Sequence, residues 1–459
     1  MQRKSSRRGS SDRRGGIAGS RQVRWLSLLL ILAMVVAACG DGDEGSDTTA
    51  DGDTGTTAGG DGGGEGDGEE VEILIWVTRP YYIPPADFTD FHEQYPNIRV
   101  TYDVQANDDI LQQMLTRVDA GQDLPDVLGA EDAFLIQTFV EAGLLPSHDE
   151  IAATWEEEDP EQYNTIWDLA WDETSIDGTK YGLSITANFD ALYYDPEWLD
   201  EAGVEVPFDS LDAVLDGLRA MKDARPDSIP FTVQARAGEG VTTVMTMLAA
   251  AGTPFDGAVP DLESEGGIYT LNWFITAANE GLLPPEAIAW GEDESRGAFV
   301  GQQAGMILDG FTTAGDFNDA PDFDFETNWN LTPTPVSEGG VNLSAARTWA
   351  VVEGSDHPYE ASLVLRYIAE TDNLLEAAAN GSVPMRQDDA FNDPELLEIW
   401  PFFNDDLKAA YENSTPFPAG PNAGEVEGIL EQMFGEIVQG TDKTAEELAA
   451  EYQAQLDDA

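Results

Sequence analysis

Four aromatic and basic side chains stand close together where an apolar segment near the start of the globular region ends. Trp76 lies in the segment Val71–Val77, and Arg79, Tyr81 and Tyr82 follow it directly. Aromatic rings offer flat faces for stacking, and a guanidinium group offers a fork of hydrogen-bond donors. The cluster predicts a binding site for a neutral molecule with C–H faces and hydroxyl groups, such as a sugar. Surface packing around the neighbouring prolines is the alternative.

Signatures of catalysis are scarce in the sequence. Cys39 is the only cysteine, and the three histidines are not spaced as ligand pairs, which excludes a cysteine-based zinc site and disfavours a histidine triad. Nucleophile-elbow, zinc-protease and phosphate-loop motifs are absent. Paired carboxylates could serve a glycoside hydrolase, but 88 acidic residues make such pairs uninformative. We therefore expect no enzyme, no cofactor and no metal, with a secreted hydrolase as a minor alternative.

Charge restricts the possible partners. The 459 residues include 22 Lys and Arg against 88 Asp and Glu, a formal net charge of −66. Such a chain repels polyphosphates and anionic lipid surfaces. We expect no nucleic-acid partner and no binding to an anionic membrane surface through the protein itself.

The N-terminal region reads as an export signal. Residues 1–38 combine basic residues with a short apolar run from Trp25 to Val36 and small residues after it, the pattern of a secretory signal peptide. Val36-Ala-Ala-Cys39 resembles a bacterial lipobox, which implies that Cys39 is lipidated. Residues 39–70 are acidic and glycine-rich, as in a flexible linker. We expect a head anchored by lipid to the outer face of the cytoplasmic membrane.

The elements that must position the candidate site alternate between strand and helix. Val71–Val77, Ile98–Val104 and Pro125–Gly129 read as strands, the last entering a loop at Ala130–Asp132. Apolar stripes of helical period follow Asp108 and Ser210 and recur near the C-terminus. This alternation predicts an α/β fold.

Several segments, in this order, resemble the extracellular solute-binding proteins of bacterial ABC importers, in the maltose-type family. The most specific segments are Lys180-Tyr-Gly-Leu-Ser184 with Ala191-Leu-Tyr-Tyr-Asp195, Phe299-Val-Gly-Gln-Gln-Ala-Gly-Met306 with Asp309-Gly310, and Gly381-Ser-Val-Pro-Met-Arg386. The resemblance covers residues 71–456. Ser184 departs from the pattern, since the family commonly has proline there.

The resemblance implies a two-lobed periplasmic-binding-protein fold, type II-like, with hinge crossovers around a central ligand cleft. Residues 71–186 and 332–371 would form lobe 1, and residues 187–331 and 372–459 would form lobe 2. It also implies a monomer that captures a small-molecule solute, most simply a mono- or oligosaccharide, and delivers it to the permease. A polyamine or a peptide is the alternative solute.

Candidate ligand-binding residues lie at strand ends and crossovers, where ligands gather in open α/β sheets. Trp76 and Trp349 are the predicted stacking faces, with Arg79 and Arg347 as donors. The full set comprises Trp76, Arg79, Tyr81, Tyr82, Glu131, Asp132, Asn188, Asp190, Trp290, Asp309, Phe311, Arg347, Trp349 and Arg386.

Overall fold

The computed structural model describes residues 70–77, 88–105, 110–370, 373–374, 383–385, 394, 397, 405–412, 414–420 and 422–459. All of them fall within one compact unit, Glu65–Ala459. The predicted signal peptide, Cys39 and almost all of the linker lie outside the described residues. None of the described helices is both long enough and apolar enough to cross a membrane.

The first part of the main sheet is built from parallel strands linked by helices. Strand β1 (Val71–Val77) lies between β2 (Ile98–Val104) and β3 (Val127–Asp132). Parallel neighbours need a crossover connection, which α1 (Thr89–Gln94) and α2 (Ile110–Ala120) supply. β3 runs three residues further than the sequence suggested, because Glu131 and Asp132 continue the antiparallel ladder with Thr348 and Arg347.

A single long strand joins the two parts of the sheet. Strand β6 (Leu183–Tyr194) pairs over Leu183–Phe189 with β12 (Asn342–Val351), and over Asp190–Tyr194 with β10 (Ala304–Gly310). The strand order is β2-β1-β3-β12-β6-β10-β7, where β7 spans Ile229–Thr232. β6 therefore passes from one part of the sheet to the other near Phe189, close to the predicted boundary between the two lobes at residues 186–187.

The remaining strands are short. They are β4 (Ser175–Ile176), β5 (Thr179–Lys180), β8 (Phe255–Asp256), β9 (Val259–Pro260), β11 (Asn330–Pro333), β13 (Val383–Pro384) and β14 (Ser414–Pro416). β11 and β13 pair with β6, and β14 pairs with β12. The two central strands therefore carry partners along most of their length.

Helices cover the sheet, and some of them begin at a residue whose side chain caps the first turn. Ser210 caps the helix Leu211–Ala224, Ser264 caps the helix Glu265–Asn279, and Thr444 forms a capping box with Glu447 at the last helix. The remaining helices after α2 are α3 (Ile136–Glu141), α4 (Asp149–Glu158), α5 (Pro160–Tyr163), α6 (Asp168–Asp172), α7 (Pro196–Ala202), α8 (Leu211–Ala224), α9 (Val241–Ala250), α10 (Glu265–Asn279), α11 (Glu292–Val300), α12 (Thr313–Asp319), α13 (Pro358–Ile368), α14 (Asp405–Glu412), α15 (Ala423–Gln439) and α16 (Ala445–Leu456), with 3-10 turns at Ala133–Leu135 and Pro285–Ala289.

Both faces of β1 are buried over its last three residues, Ile75–Val77. Ile73 and Ile75 of β1 point into one apolar cluster, whereas Trp76 belongs to another with Leu128 and Met114. Alternate strand residues point to opposite faces, and a parallel sheet covered by helices buries both of them. A third cluster packs α8, α9, α10, α15 and α16 against the second part of the sheet.

A cavity at the central strands: candidate binding site

A polar cavity in the described part of the chain lies where β6 passes from its pairing with β12 to its pairing with β10. It has a volume of about 670 Å³, inside the range of roughly 300–1,000 Å³ that is typical for small-molecule sites. Its wall contains residues 188–190 of β6, residues 308–310 of β10, alternate residues of β12, the first turns of α9, and parts of α11, α12 and α15. The strand that joins the two parts of the sheet therefore also borders the cavity.

A buried ion pair forms one side of the cavity. Arg296 of α11 donates from Nε to Asp309 Oδ2 at 2.8 Å and from Nη2 to Asp309 Oδ1 at 2.9 Å. Asp309 also accepts from the Gly310 amide and the Thr313 hydroxyl. Its carboxylate is thus occupied by partners within the protein. We conclude that Asp309 holds Arg296 in place rather than offering a vacant acceptor to a ligand.

Two more carboxylates share the same guanidinium group. Arg296 Nη1 lies 3.1 Å from Glu292 Oε2 and 3.6 Å from Asp316 Oδ2. Burial raises the pKa of Glu292, while Arg296 opposes that shift. Burial alone would lower the pKa of Arg296, but its bonds to Asp309 and the nearby carboxylates raise it overall. Arg296 therefore stays charged and fixed at the wall.

Asp190 is a buried carboxylate on the opposite strand. Only 8 % of it is exposed, and the Thr246 hydroxyl donates to its Oδ2 at 2.6 Å. Burial raises the pKa of Asp190 to about 6, Asp309 adds to the rise, and the Thr246 bond and Arg296 oppose it. The Asp190 carboxylate is therefore mostly charged at neutral pH, at the cost of partial desolvation.

Asn188 is fixed at the floor of the cavity by the loop after β10. Its Oδ1 accepts from the Thr312 amide at 3.0 Å. Gly310 lies directly against the Asn188 amide, and a Cβ atom there would collide with it. The bond to Thr312 leaves the Nδ2 donors of Asn188 at the cavity wall.

The rest of the wall offers mixed hydrogen-bonding groups and aromatic surface. The polar side chains include amide, hydroxyl and guanidinium groups, and two aromatic rings lie among them: Gln234, Thr242, Thr243, Thr246, Arg347, Phe189 and Phe417. A ligand hydroxyl group can both donate and accept a hydrogen bond, so it can pair with either the donors or the acceptors on this wall. The cavity can hold a small polar molecule.

The structure brings four predicted site residues together at this cavity: Asn188, Asp190, Asp309 and Arg347. Phe311 lies just behind the wall, 1 % exposed, and stacks on Phe189 with ring centroids 5.3 Å apart. Trp290 is half-buried and packs against the third apolar cluster, away from the wall. The backbone carbonyl of Trp290 accepts from the Ala235 and Arg236 amides, and the ligand-binding role of its side chain stays a prediction.

The two tryptophans predicted as stacking faces need correction. Trp76 and Trp349 are each 1 % exposed, and neither lies on the cavity wall. The Arg117 guanidinium covers the Trp76 ring at 4.7 Å. Trp349 packs so tightly on Gly129 that a Cβ there would lie 2.5 Å from its ring. Both indoles are core residues in this structure, because helices cover both faces of the sheet.

Other predicted site residues cannot be placed. Arg79, Tyr81, Tyr82 and Arg386 lie outside the described residues, as does the predicted lipidation site Cys39. Strand β3 includes the backbone of Glu131 and Asp132, while their side chains are not among those described. Their roles stay predictions.

Sequence reasoning missed most of the wall contributed by α9 and α11. Thr246 lies in an apolar helix, and Arg296 follows Glu292 by four residues, a spacing typical of a solvated ion pair on a helix surface. The one available signal was the scarcity of basic residues, which would have marked Arg296 along with Arg347. Only the packing of α11 against β10 brings Arg296 to Asp309.

A second cavity, of about 630 Å³, lies beside α15. Its main polar groups are already bonded within the protein: Glu431 accepts from the Gly238 amide, and Glu436 accepts from Tyr452 and Lys443. It is less suited to a polar solute than the first cavity. Among the side chains that the structure describes, no group of three or more His, Cys, Asp or Glu residues is arranged to hold a metal ion.

Comparisons with known proteins agree with this architecture. The sugar-binding protein MalE from Xanthomonas citri superposes with a TM-score of 0.70 at 18 % identity, covering 84 % of this chain and 98 % of that one. Maltose-bound MalE3 from T. maritima gives 0.67 at 18 % identity, covering 84 % and 99 %. A Listeria monocytogenes substrate-binding protein in complex with cycloalternan gives 0.66 at 17 % identity, covering 85 % and 99 %. This chain therefore has the two-lobed fold of periplasmic binding proteins.

Sequence comparison gives the family. A Brucella abortus (strain 2308) protein whose name describes it only as a binding protein is 21 % identical over 308 residues, 65 % of this chain and 72 % of that one. The family profile described as "Bacterial extracellular solute-binding protein" matches residues 77–374, more than half of the sequence. The chain belongs to the bacterial extracellular solute-binding protein family.

Proposed function

We propose that this protein binds a mono- or oligosaccharide in the cavity at β6, β10 and β12 and delivers it to the permease of an ABC importer. The observation that carries the proposal is the composition of the cavity wall. Asn188, Gln234 and Arg347 supply planar polar groups, and Thr242 and Thr243 supply hydroxyls. These are the group types that pair with the many hydroxyls of a sugar.

The ligands of structural neighbours support a polyhydroxylated solute. The T. maritima protein holds maltose, the L. monocytogenes protein holds cycloalternan, and a further neighbour from Agrobacterium radiobacter K84 was solved with ribitol. These molecules differ in size but share dense hydroxyl groups. We therefore expect the solute of this chain to be rich in hydroxyl groups as well.

Binding is expected to close the cleft. In this proposal, lobe 1 consists of residues 71–186 and 332–371, and lobe 2 consists of residues 187–331 and 372–459. A ligand that contacts both lobes only in the closed state shifts the population toward that state. Small-angle scattering with saturating ligand should show a smaller radius of gyration, and an unchanged profile for a proven ligand would argue against closure.

A lipid anchor would keep the globular part of the chain, residues 71–459, close to the permease in the membrane. In the proposal Cys39 is lipidated and the acidic segment 40–70 spans the distance to the membrane surface, which raises the local concentration of binder at the transporter. Replacing Cys39→Ser should release the protein into the medium. Retention of that variant in the detergent-extracted fraction would contradict the anchor.

A binding panel tests the proposed solute class. Mono- and disaccharides, polyols, spermidine, amino acids and short peptides are screened by thermal shift, and hits are titrated by calorimetry. Arg347→Gln should weaken saccharide binding by at least about tenfold, on the scale of lost charge-assisted hydrogen bonds. Arg219→Gln, which alters an exposed ion pair with Glu280, is the matched control and should bind as the wild type does.

The outcome separates the alternatives. If spermidine or peptides stabilise the protein and no saccharide does, the solute is a polyamine or a peptide rather than a saccharide. Oligosaccharides incubated with the protein should keep their mass over time, since the proposed role is binding without turnover. Cleavage products that appear with the protein and not without it would favour a glycoside hydrolase instead.

A further inference from the structure

The cavity wall carries more negative charge than its own cations balance. The ionisable side chains described on this wall are six carboxylates and two guanidinium groups: Asp190, Glu239, Glu292, Asp309, Asp316, Glu427, Arg296 and Arg347. One of the two cations, Arg296, is shared among Asp309, Glu292 and Asp316. Glu239 is paired with Arg236 behind the wall. Two carboxylates, Asp190 and Glu427, form none of these ion pairs.

Asp190 is the carboxylate whose surroundings point to a ligand. Within the described part of the chain, the Thr246 bond to Oδ2 is the one hydrogen bond to its side chain. More than nine-tenths of Asp190 is buried, and the residue borders the cavity. Its Oδ1 atom has no hydrogen-bond donor within the described residues, but the surrounding protein does not enclose it fully. Oδ1 therefore meets the cavity space and has an acceptor position available there.

Among the residues that the structure describes, no cation forms an ion pair with Asp190. Asp309 and Glu292 act on it as like charges, and the attraction of Arg296 is divided among its own three carboxylates. Burying a carboxylate that has no close cation is unfavourable. A ligand that brings a positive charge to Oδ1 would offset that penalty, whereas a neutral hydroxyl would offset it less.

We propose that the preferred solute is an amino sugar or an amino-substituted oligosaccharide, whose ammonium group pairs with Asp190 while its hydroxyls meet the rest of the wall. This inference rests on the proposed function and names the solute class within it. A polyamine fits the wall less well. It has no acceptor oxygen for Arg347 and no hydroxyls for Asn188 and Gln234.

Matched sugars that differ at one position test the inference. Glucose, glucosamine and N-acetylglucosamine carry a hydroxyl, an ammonium or an amide on the same ring, and the galactose series does the same. Cellobiose and the glucosamine disaccharide extend the comparison to two rings, and spermidine serves as the cation without a sugar. Each is titrated by calorimetry at about neutral pH and low salt, because screening weakens charge pairing.

The variants isolate the charge of Asp190. Asp190→Asn keeps a side chain of the same shape, whose amide oxygen can still accept from Thr246. Asp200→Asn removes one exposed carboxylate on α7 and controls for the change in overall charge. We expect the amino member to bind at least tenfold more tightly than its hydroxyl counterpart in the wild type and in Asp200→Asn. In Asp190→Asn that ratio should fall to about one, because the amide carries no charge for the ammonium group to pair with.

Each contrary result has a definite meaning. Equal or tighter binding of the hydroxyl member, or an unchanged ratio in Asp190→Asn, would overturn the inference and leave saccharide binding intact. Binding of spermidine with no binding of any saccharide would overturn both the inference and the proposed function. So would failure of every probe to bind.

Discussion

Arg296 and Asp309 form a bidentate ion pair with hydrogen bonds of 2.8 Å and 2.9 Å. The Asp309 side chain is 3 % exposed and the Arg296 side chain is 21 % exposed. The pair joins helix α11 to the end of strand β10 at the cavity wall. Both bonds and the two further donors to Asp309 fix the direction of the guanidinium group. A site that must hold a small ligand gains from such fixed groups, because they lose little freedom on binding.

Breaking this pair should destabilise the fold. Asp309→Asn leaves Arg296 partly buried without its bidentate partner, and we expect the free energy of unfolding to fall by about 2 kcal/mol or more. Urea unfolding measures the loss. Asp216→Asn, which breaks an exposed bond to Arg219, is the control and should cost less than about 1 kcal/mol. Equal losses in the two variants would contradict the role given to Asp309.

His148 should make the fold sensitive to acid. Its Nε2 accepts from the Val351 amide at 2.8 Å and its Nδ1 donates to the Pro146 carbonyl at 2.8 Å. Burial lowers the pKa of His148 from 6.5 to about 4. Between those values the unfolded chain binds a proton that the folded chain does not, so stability falls as the pH falls. The loss reaches roughly 3 kcal/mol by about pH 4.

Unfolding of wild type and His148→Gln between pH 7 and pH 4 checks this effect. The variant should be less stable near neutral pH but should lose less stability on acidification than the wild type. The comparison cancels the contributions of other titrating groups. Parallel pH profiles for the two proteins would show that His148 is not the group responsible.

Glu173 should act in the opposite direction. Burial raises its pKa from 4.5 to about 8, although Ser344 beside it opposes the shift. The folded chain therefore keeps a proton that the unfolded chain releases above pH 4.5, and this residue lowers stability as the pH rises. Glu173→Gln should gain stability relative to the wild type, by up to about 1.4 kcal/mol per unit between pH 4.5 and 8. A stability difference that does not change with pH would refute this account.

The packing of Trp349 on Gly129 tests whether this tryptophan is a core residue. Gly129→Ala places a methyl group against the Trp349 ring, and such overpacking costs about 1–3 kcal/mol. Gly428→Ala lies on the exposed face of α15 with open space around it, and alanine favours the helix there. We expect the first variant to be destabilised and the second to be unchanged or stabilised. A neutral Gly129→Ala would mean that Trp349 can move away from β3.

The sequence was sufficient to predict the fold class and part of the site. Asn188 and Asp190 were predicted because the family resemblance implies a crossover beside them, where such proteins commonly contact their ligand; the structure places both within β6, on the cavity wall. Trp76 was misplaced because a strand buried on both faces gives no sign of which side meets a cavity. Arg296 and Thr246 were missed because each lies within a helix, and only tertiary packing turns those helix faces toward the cavity.

Hydrogen exchange with and without a bound saccharide shows directly where the ligand lies. With the panel member that binds most tightly, we expect slower exchange at residues 188–190, 241–246 and 308–312, which border the first cavity. Residues 428–440, which border the second cavity, should be unchanged. Protection confined to residues 428–440, with none at the first cavity, would contradict the assignment of the binding site.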